Sequence, residues 1–149
     1  MRRPEEVFVV VHRPGPHERE FLVLERAPDR QGYWHLVSGA LEPGEGPPEA
    51  ARRELAEEVG LAAAVEDLER EYVYSLADEP PVVRARFAPD VTRITVTSFA
   101  AEAPPGWEPT LDEEHVDYRW CTAAEAASLL HYPEPQDAVA RAEERLGVA

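Results

Sequence analysis

The sequence contains no lysine and no asparagine, a single cysteine and a single isoleucine, and no long apolar run. Without lysine there is no phosphate-binding loop of the G-x-x-x-x-G-K type, no kinase lysine and no Schiff-base chemistry. With Cys121 alone, neither an internal disulfide nor a zinc ribbon can form. The opening MRRPEEVFVVVHRPG holds an apolar run of only five residues before His12, too short for a signal-peptide core or a membrane span. A cytoplasmic protein with no membrane partner is therefore expected. Positive charge is scarce as well: fifteen basic residues, all arginine, face thirty acidic ones, for a formal net charge of −15. Such a chain is poorly suited to a nucleic-acid polymer or an anionic membrane. A small phosphorylated metabolite is still a fitting partner, because a divalent cation held by carboxylates reverses the local sign of charge.

The chain has 149 residues, 44% of them apolar, so a single domain spanning 1–149 with a sizeable core is expected. Residues 7–11 and 21–24 are β-rich runs joined by a turn-like stretch with two prolines and a glycine, and 34–37 is a further short extended piece. A glycine-rich loop over 39–46 leads into a helix over 49–59, with Pro47 and Pro48 in its first turn and Gly60 as its C-terminal cap. Residues 72–76, 82–87, 92–101 and 117–121 read as strands. Thr122 and Glu125 then have capping-box spacing for a helix, and 137–146 reads as a final amphipathic helix. The prolines at 80, 81, 89, 104, 105, 109, 133 and 135 are expected between these elements. This order suggests an α/β or α+β sandwich with a mixed sheet flanked by helices.

The chemistry is concentrated between Gly39 and Leu61. At 100° per residue, Glu54, Glu57 and Glu58 share an arc of roughly 100° on one helix face, beside the apolar stripe of Ala51, Leu55 and Val59. Glu54 and Glu58, one turn apart, repel by roughly 0.2–0.5 kcal/mol in an isolated helix. Arg53 can reach Glu57 but cannot neutralise all three carboxylates, whereas a divalent cation can. Hard oxygen ligands suit Mg²⁺ or Mn²⁺, which complete their shells with water and substrate phosphates. Taken alone, the spacing also fits a solvated acidic helix face.

The whole segment GALEPGEGPPEAARRELAEEVGL places Gly39, Glu45, Arg53, Glu54, Glu57, Glu58 and Gly60 at the intervals of a known signature. It resembles the box of the Nudix hydrolases. The resemblance implies a Nudix-type α/β/α sandwich with a mixed β-sheet, and metal-dependent hydrolysis of a nucleoside diphosphate linked to another group. It implies Glu54, Glu57 and Glu58 as metal ligands with the Gly39 carbonyl nearby, and Glu45 and Arg53 as supports that fix the loop and orient the carboxylates. Phosphoryl transfer to water has a loose, anionic transition state, so positioning and charge neutralisation carry most of the catalysis. The proton of the attacking water is assigned to a carboxylate, either Glu54 or a glutamate on a later loop.

Beyond the box, FLVLER, YWHLVSGALEPGE, FAPDVTRITVTSFAAE and EEHVDYRWCTAAEA are similar to the bacterial dihydroneopterin triphosphate pyrophosphatase branch of the family. That similarity implies Glu114 as a further metal ligand. It also implies Arg26 and Ser38 near the substrate phosphates, and Arg2 reaching the substrate from the first strand. It departs near Pro133, where the branch offers a small polar contact that proline cannot make. Trp34 suits either a core position or stacking on a flat ring, and Trp107 suggests the substrate mouth. His35 and His115 read as hydrogen-bonded structural residues, since magnesium prefers oxygen, and Cys121 as a buried apolar residue. The resemblance admits a homodimer, which no feature of the chain itself indicates.

Three function classes follow. The first is an enzyme that releases pyrophosphate from a nucleoside or pterin triphosphate, with rivals acting on ADP-ribose, dinucleoside polyphosphates or oxidised dGTP. The second is a non-catalytic nucleotide-binding regulatory module, in which such a box often decays, whereas this one is complete. The third, an acidic interaction domain, leaves the loop glycines and the arginine–glutamate order unexplained.

Overall fold

The structure is a computed structural model and describes residues 1–147. Its centre is β1 (Glu5–Arg13), whose valine-rich run is buried continuously from Val7 to His12, as suits a strand covered on both faces. β1 runs parallel to β6 (Arg93–Glu102), from Glu5 opposite Thr95 to His12 opposite Glu102. Along its other edge it pairs antiparallel with β4 (Val37–Ala40) and then with the start of β2 (Glu20–Arg26). β2 also pairs with β3 (Trp34–His35) and β7 (His115–Cys121), and β5 (Glu66–Ser75) lies beyond β6, giving a mixed seven-stranded sheet.

The two-residue period of β1 divides the core. Val7, Val9 and Val11 join Leu22, Leu24 and Phe99 against Ala50, Ala51, Leu55 and Val59 of α1 (Pro47–Val59). Phe8 and Val10 join Phe21, Val23, Ile94 and Val96 on the opposite face. There they meet Ala126 of α3 (Ala123–Leu129), Leu130, and Ala138, Val139 and Ala142 of α4 (Pro133–Gly147). The result is the expected α/β/α sandwich. The capping box forms, with Thr122 Oγ1 accepting from Glu125 N at 3.2 Å and Glu125 Oε1 from Thr122 N at 2.8 Å. Among the described residues no helix is long and apolar enough to cross a membrane.

Several local expectations are corrected. Residues 82–87 are not a strand: Pro80 and Pro81 start a short helix, α2 (Pro81–Arg84), whose Val83 and Arg84 amides donate to the Pro80 carbonyl. Pro81, Pro133 and Pro135 therefore lie inside helices, near their N-terminal ends, where few N–H groups have intrahelical partners, and α4 starts four residues earlier than expected. The piece at 34–37 breaks at Leu36 into β3 and β4, which pair with different strands. Gly39 and Ala40 belong to β4 rather than to the loop.

Candidate active site

α1 begins behind Pro47 and Pro48, with the Ala50 amide donating to the Gly46 carbonyl at 3.1 Å. It ends at Gly60, whose φ of 74° is left-handed and whose amide donates to Ala56 O at 3.1 Å. Between these caps the three glutamates meet different surroundings. Glu58 turns toward the sheet and is 2% exposed, the side chain of Glu54 is 12% exposed, and that of Glu57 is 57% exposed. The Glu54 carboxylate lies so close to Gly39 of β4 that any Cβ there would collide with it. Ser38 N points at Glu58 Oε1 from 3.4 Å, the one backbone donor to this carboxylate among the described residues.

Arg53 binds the loop to the helix. Its Nε and Nη2 donate to the two oxygens of Glu45 at 2.7 and 2.9 Å, and Nη2 also donates to Ala40 O at 2.9 Å. Nη1 donates to Glu54 at 2.8 Å and to Glu57 at 3.3 Å. This paired geometry holds the Glu45 carboxyl below its ordinary range and strengthens the proton affinity of Arg53. Glu45 Oε1 in turn accepts from Glu42 N at 2.8 Å, closing the loop. Among the described residues Glu58 has no arginine partner. Burial, and then the neighbouring Glu54 carboxylate, push its pKa well above the usual range, while the Ser38 amide partly opposes the shift.

Ser38 and Gly39 also line a cavity of about 680 Å³, together with Arg2 and Arg26. Arg26 Nε donates to Arg30 O at 2.9 Å, and its guanidinium carbon sits 5.1 Å from the Tyr33 ring centroid. Tyr33 meets Tyr132 edge-on at 5.1 Å, and Phe8, Tyr74 and Phe87 add further apolar wall. Glu6 accepts from Tyr74 OH at 2.9 Å and from Arg2 at 3.2 Å. Glu79, on the same wall, has its pKa raised by burial and then by Glu6, Asp78 and Glu134.

A family model for the Nudix domain matches residues 2–142. The chain belongs to the Nudix hydrolase family. It is 33% identical over 133 residues to the dihydroneopterin triphosphate diphosphatase of Escherichia coli K12, covering 86% of this chain and 84% of that one. It is 34% identical over 135 residues to an octanoyltransferase of Myxococcus xanthus, but there 91% of this chain spans only 35% of the relative's length. The solved structure of the E. coli dihydroneopterin triphosphate pyrophosphohydrolase superposes with a TM-score of 0.80 at 29% identity, covering 97% of each chain.

The Nudix box thus brings Gly39, Glu45, Arg53, Glu54 and Glu58 together, while Glu57 stays at the solvent edge on Arg53. Among the described residues no three His, Cys, Asp or Glu side chains are drawn together at metal-ligand spacing. The donor set nevertheless suits a hard divalent ion: two adjacent carboxylates, one of them buried and, among the described residues, without an arginine partner, beside the Gly39 backbone. Glu114 is paired with Arg30 at 2.9 Å. Trp34 is half-buried against the core with Arg119 at 5.2 Å from its ring, and it is not among the residues lining the cavity. Trp107 is likewise absent from the cavity wall and packs on the α1-side core, edge-on to Trp120. Three features are not visible from spacing: the aromatic wall of Tyr33, Tyr74 and Tyr132, the acidic residues Glu6 and Glu79, and the contact of His115 with Glu58. For the last, the sequence carries one signal, an aspartate three residues before a histidine in Asp112-Glu113-Glu114-His115.

Proposed function

We propose that the chain hydrolyses a phosphoanhydride of a nucleoside or pterin triphosphate and releases pyrophosphate, using Mg²⁺ or Mn²⁺. The observation that carries this reading is the buried Glu58 carboxylate, crowded by Glu54 beside Gly39, where the large cavity also reaches the box. Glu54 and Glu58, with Glu57 rotated inward and the Gly39 carbonyl alongside, would hold the ion. Glu114 would join them only by leaving Arg30. When bound, the ion supplies charge neutralisation at phosphate oxygens and lowers the pKa of water.

The chain's own residues divide the remaining work. Arg53 fixes the Glu54 carboxylate through its 2.8 Å hydrogen bond, and Glu45 fixes Arg53. Glu54, whose carboxylate lies against Gly39 where the cavity meets the box, takes the proton of the attacking water. Arg26 and Arg2 meet phosphate oxygens, with Arg26 preset by Arg30 O and Tyr33 and Ser38 beside it in the wall. The flat ring lies among Tyr33, Tyr74, Tyr132 and Phe87. Pro133 also lines this cavity and offers no N–H, so the ring is gripped by shape and by its neighbours' polar groups rather than by that residue.

The test is incubation with Mg²⁺ and a panel of dihydroneopterin triphosphate, dNTPs, ADP-ribose, oxidised dGTP and dinucleoside polyphosphates, with products resolved. Pyrophosphate release from a triphosphate is expected. Cleavage confined to ADP-ribose or dinucleoside polyphosphates would replace the substrate class, and binding without product would make the chain a regulatory module. Near-normal turnover in all three of E54Q, E57Q and E58Q would contradict the residue assignment.

A further inference from the structure

The loop between β6 and β7 is fastened at both ends of its reach. Glu108 accepts from Arg13 Nη1 at 2.9 Å, Trp120 Nε1 at 3.0 Å and Tyr118 OH at 3.1 Å, tying the loop to β1 and β7. Further on, the loop caps the end of α1: Thr110 N donates to Val59 O at 2.9 Å and Asp112 N donates to Glu58 O at 3.2 Å. His115 follows, opposite Arg26 at a register shift between β2 and β7, where the ladder irregularity re-aims side chains. Its side chain is 4% exposed. Nδ1 lies 2.8 Å from Asp112 Oδ1, and Nε2 lies 3.8 Å from Glu58 Oε1. One loop therefore grips Glu58 twice, at its carbonyl and beside its carboxylate.

We infer that His115 is a positioning residue that keeps the Glu58 carboxylate turned toward Gly39 and Glu54, with Asp112 fixing the angle of the imidazole ring. The physical need is clear from the neighbours of Glu58. Its side chain has three rotatable torsions, the Ser38 amide reaches it only at 3.4 Å, and the neighbouring Glu54 carboxylate crowds it. The imidazole edge stands 3.8 Å from the carboxylate as its nearest ring nitrogen, and the 2.8 Å contact of Nδ1 with Asp112 fixes how that edge is presented. Groups held behind a ligand in this way tune metal affinity without touching the metal. The inference rests on the proposed reading of Glu58 as a metal ligand.

The experiment is Mn²⁺ titration of the purified chain, with free Mn²⁺ followed by electron paramagnetic resonance, in wild type, H115N and H115Q. Asparagine can keep the Asp112 contact but withdraws the edge that faces Glu58, whereas glutamine extends an amide toward it. H115N is expected to bind Mn²⁺ about 10-fold more weakly, with H115Q recovering most of the loss and both metal-free variants melting within a few degrees of each other. D112A, which leaves His115 in place but frees the ring, is expected to weaken binding by a smaller factor and serves if H115N does not fold. Affinity of H115N or D112A within about two-fold of wild type would overturn the inference, as would equal losses in H115N and H115Q. Absence of saturable Mn²⁺ uptake by wild type would overturn the metal reading itself, and the inference with it.

Discussion

The box and the cavity wall meet at Ser38 and Gly39 but are built on different physics. The box comes from one continuous segment, and its charges answer one another locally: Glu45, Glu54 and Glu57 all share Arg53. The wall comes from segments scattered between Arg2 and Pro135 and is held by ring contacts and by carboxylates that crowd one another. A locally satisfied ion-pair frame keeps its geometry whatever packs around it. A wall assembled from distant loops can change its lining without disturbing that frame. Under the proposed function, bond cleavage falls to the box and choice of ring to the wall.

The largest effect that can break this division is at Glu58. E58Q keeps the shape but removes the charge, and turnover should fall by about 1,000-fold or more. The same change removes a buried, crowded carboxylate, so the metal-free protein should melt a few degrees higher, for a gain of roughly 1 kcal/mol. A rate loss accompanied by a lower melting temperature would make Glu58 a structural residue instead.

Acid comes next and acts on the wall through His35 and on the central strand through His12. Burial pushes His12 on β1 and His35 on the cavity wall down to about 4, because the neutral ring is favoured in the fold. Their stabilising contribution is full above about pH 6.5, the unfolded value, and is lost as pH falls from there through 4, up to about 3 kcal/mol for His35 and less for His12. Urea midpoints should therefore drop between pH 7.5 and 4.5. H12L should flatten part of that drop, since His12 Nδ1 has no hydrogen-bond partner to lose. A profile of the same depth in H12L would contradict the assignment.

R53K keeps the charge but cannot make the two-pronged contact with Glu45, so turnover should fall about 10-fold and stability by roughly 1–2 kcal/mol. The smallest effect is expected on the wall. E79Q should change the ratio of kcat/KM values between two triphosphates by about three- to ten-fold, consistent with one altered polar contact, and leave Mn²⁺ affinity within two-fold. A change in Mn²⁺ affinity as large as the change in substrate preference would erase the distinction between the regions.

The same contrast explains what is legible in the sequence. The 39–61 segment is readable because loop, cap and helix follow one another, so spacing alone sets which side chains meet. The alternation of Val7, Val9 and Val11 against Phe8 and Val10 likewise announces a strand covered on both sides. Spacing does not reveal that Glu57 would turn to solvent while Glu58 became buried, because α1's orientation on the sheet is a tertiary fact. Residues 82–87 mislead because valine and phenylalanine favour strands, yet two preceding prolines preset a helical turn. Glu114, Trp34, Trp107 and His115 depend on contacts with residues far away in the chain, such as Arg30, Arg119, Trp120 and Glu58. Apart from the aspartate three residues before His115, no local pattern points to those contacts.

The most direct measurement is the titration of Mn²⁺ into wild type and into E58Q, read as free ion by electron paramagnetic resonance. Saturable uptake by wild type that is lost in E58Q is the expected result. No saturable uptake by wild type, or the same uptake in both, would contradict the claim that this buried carboxylate is a divalent-ion ligand.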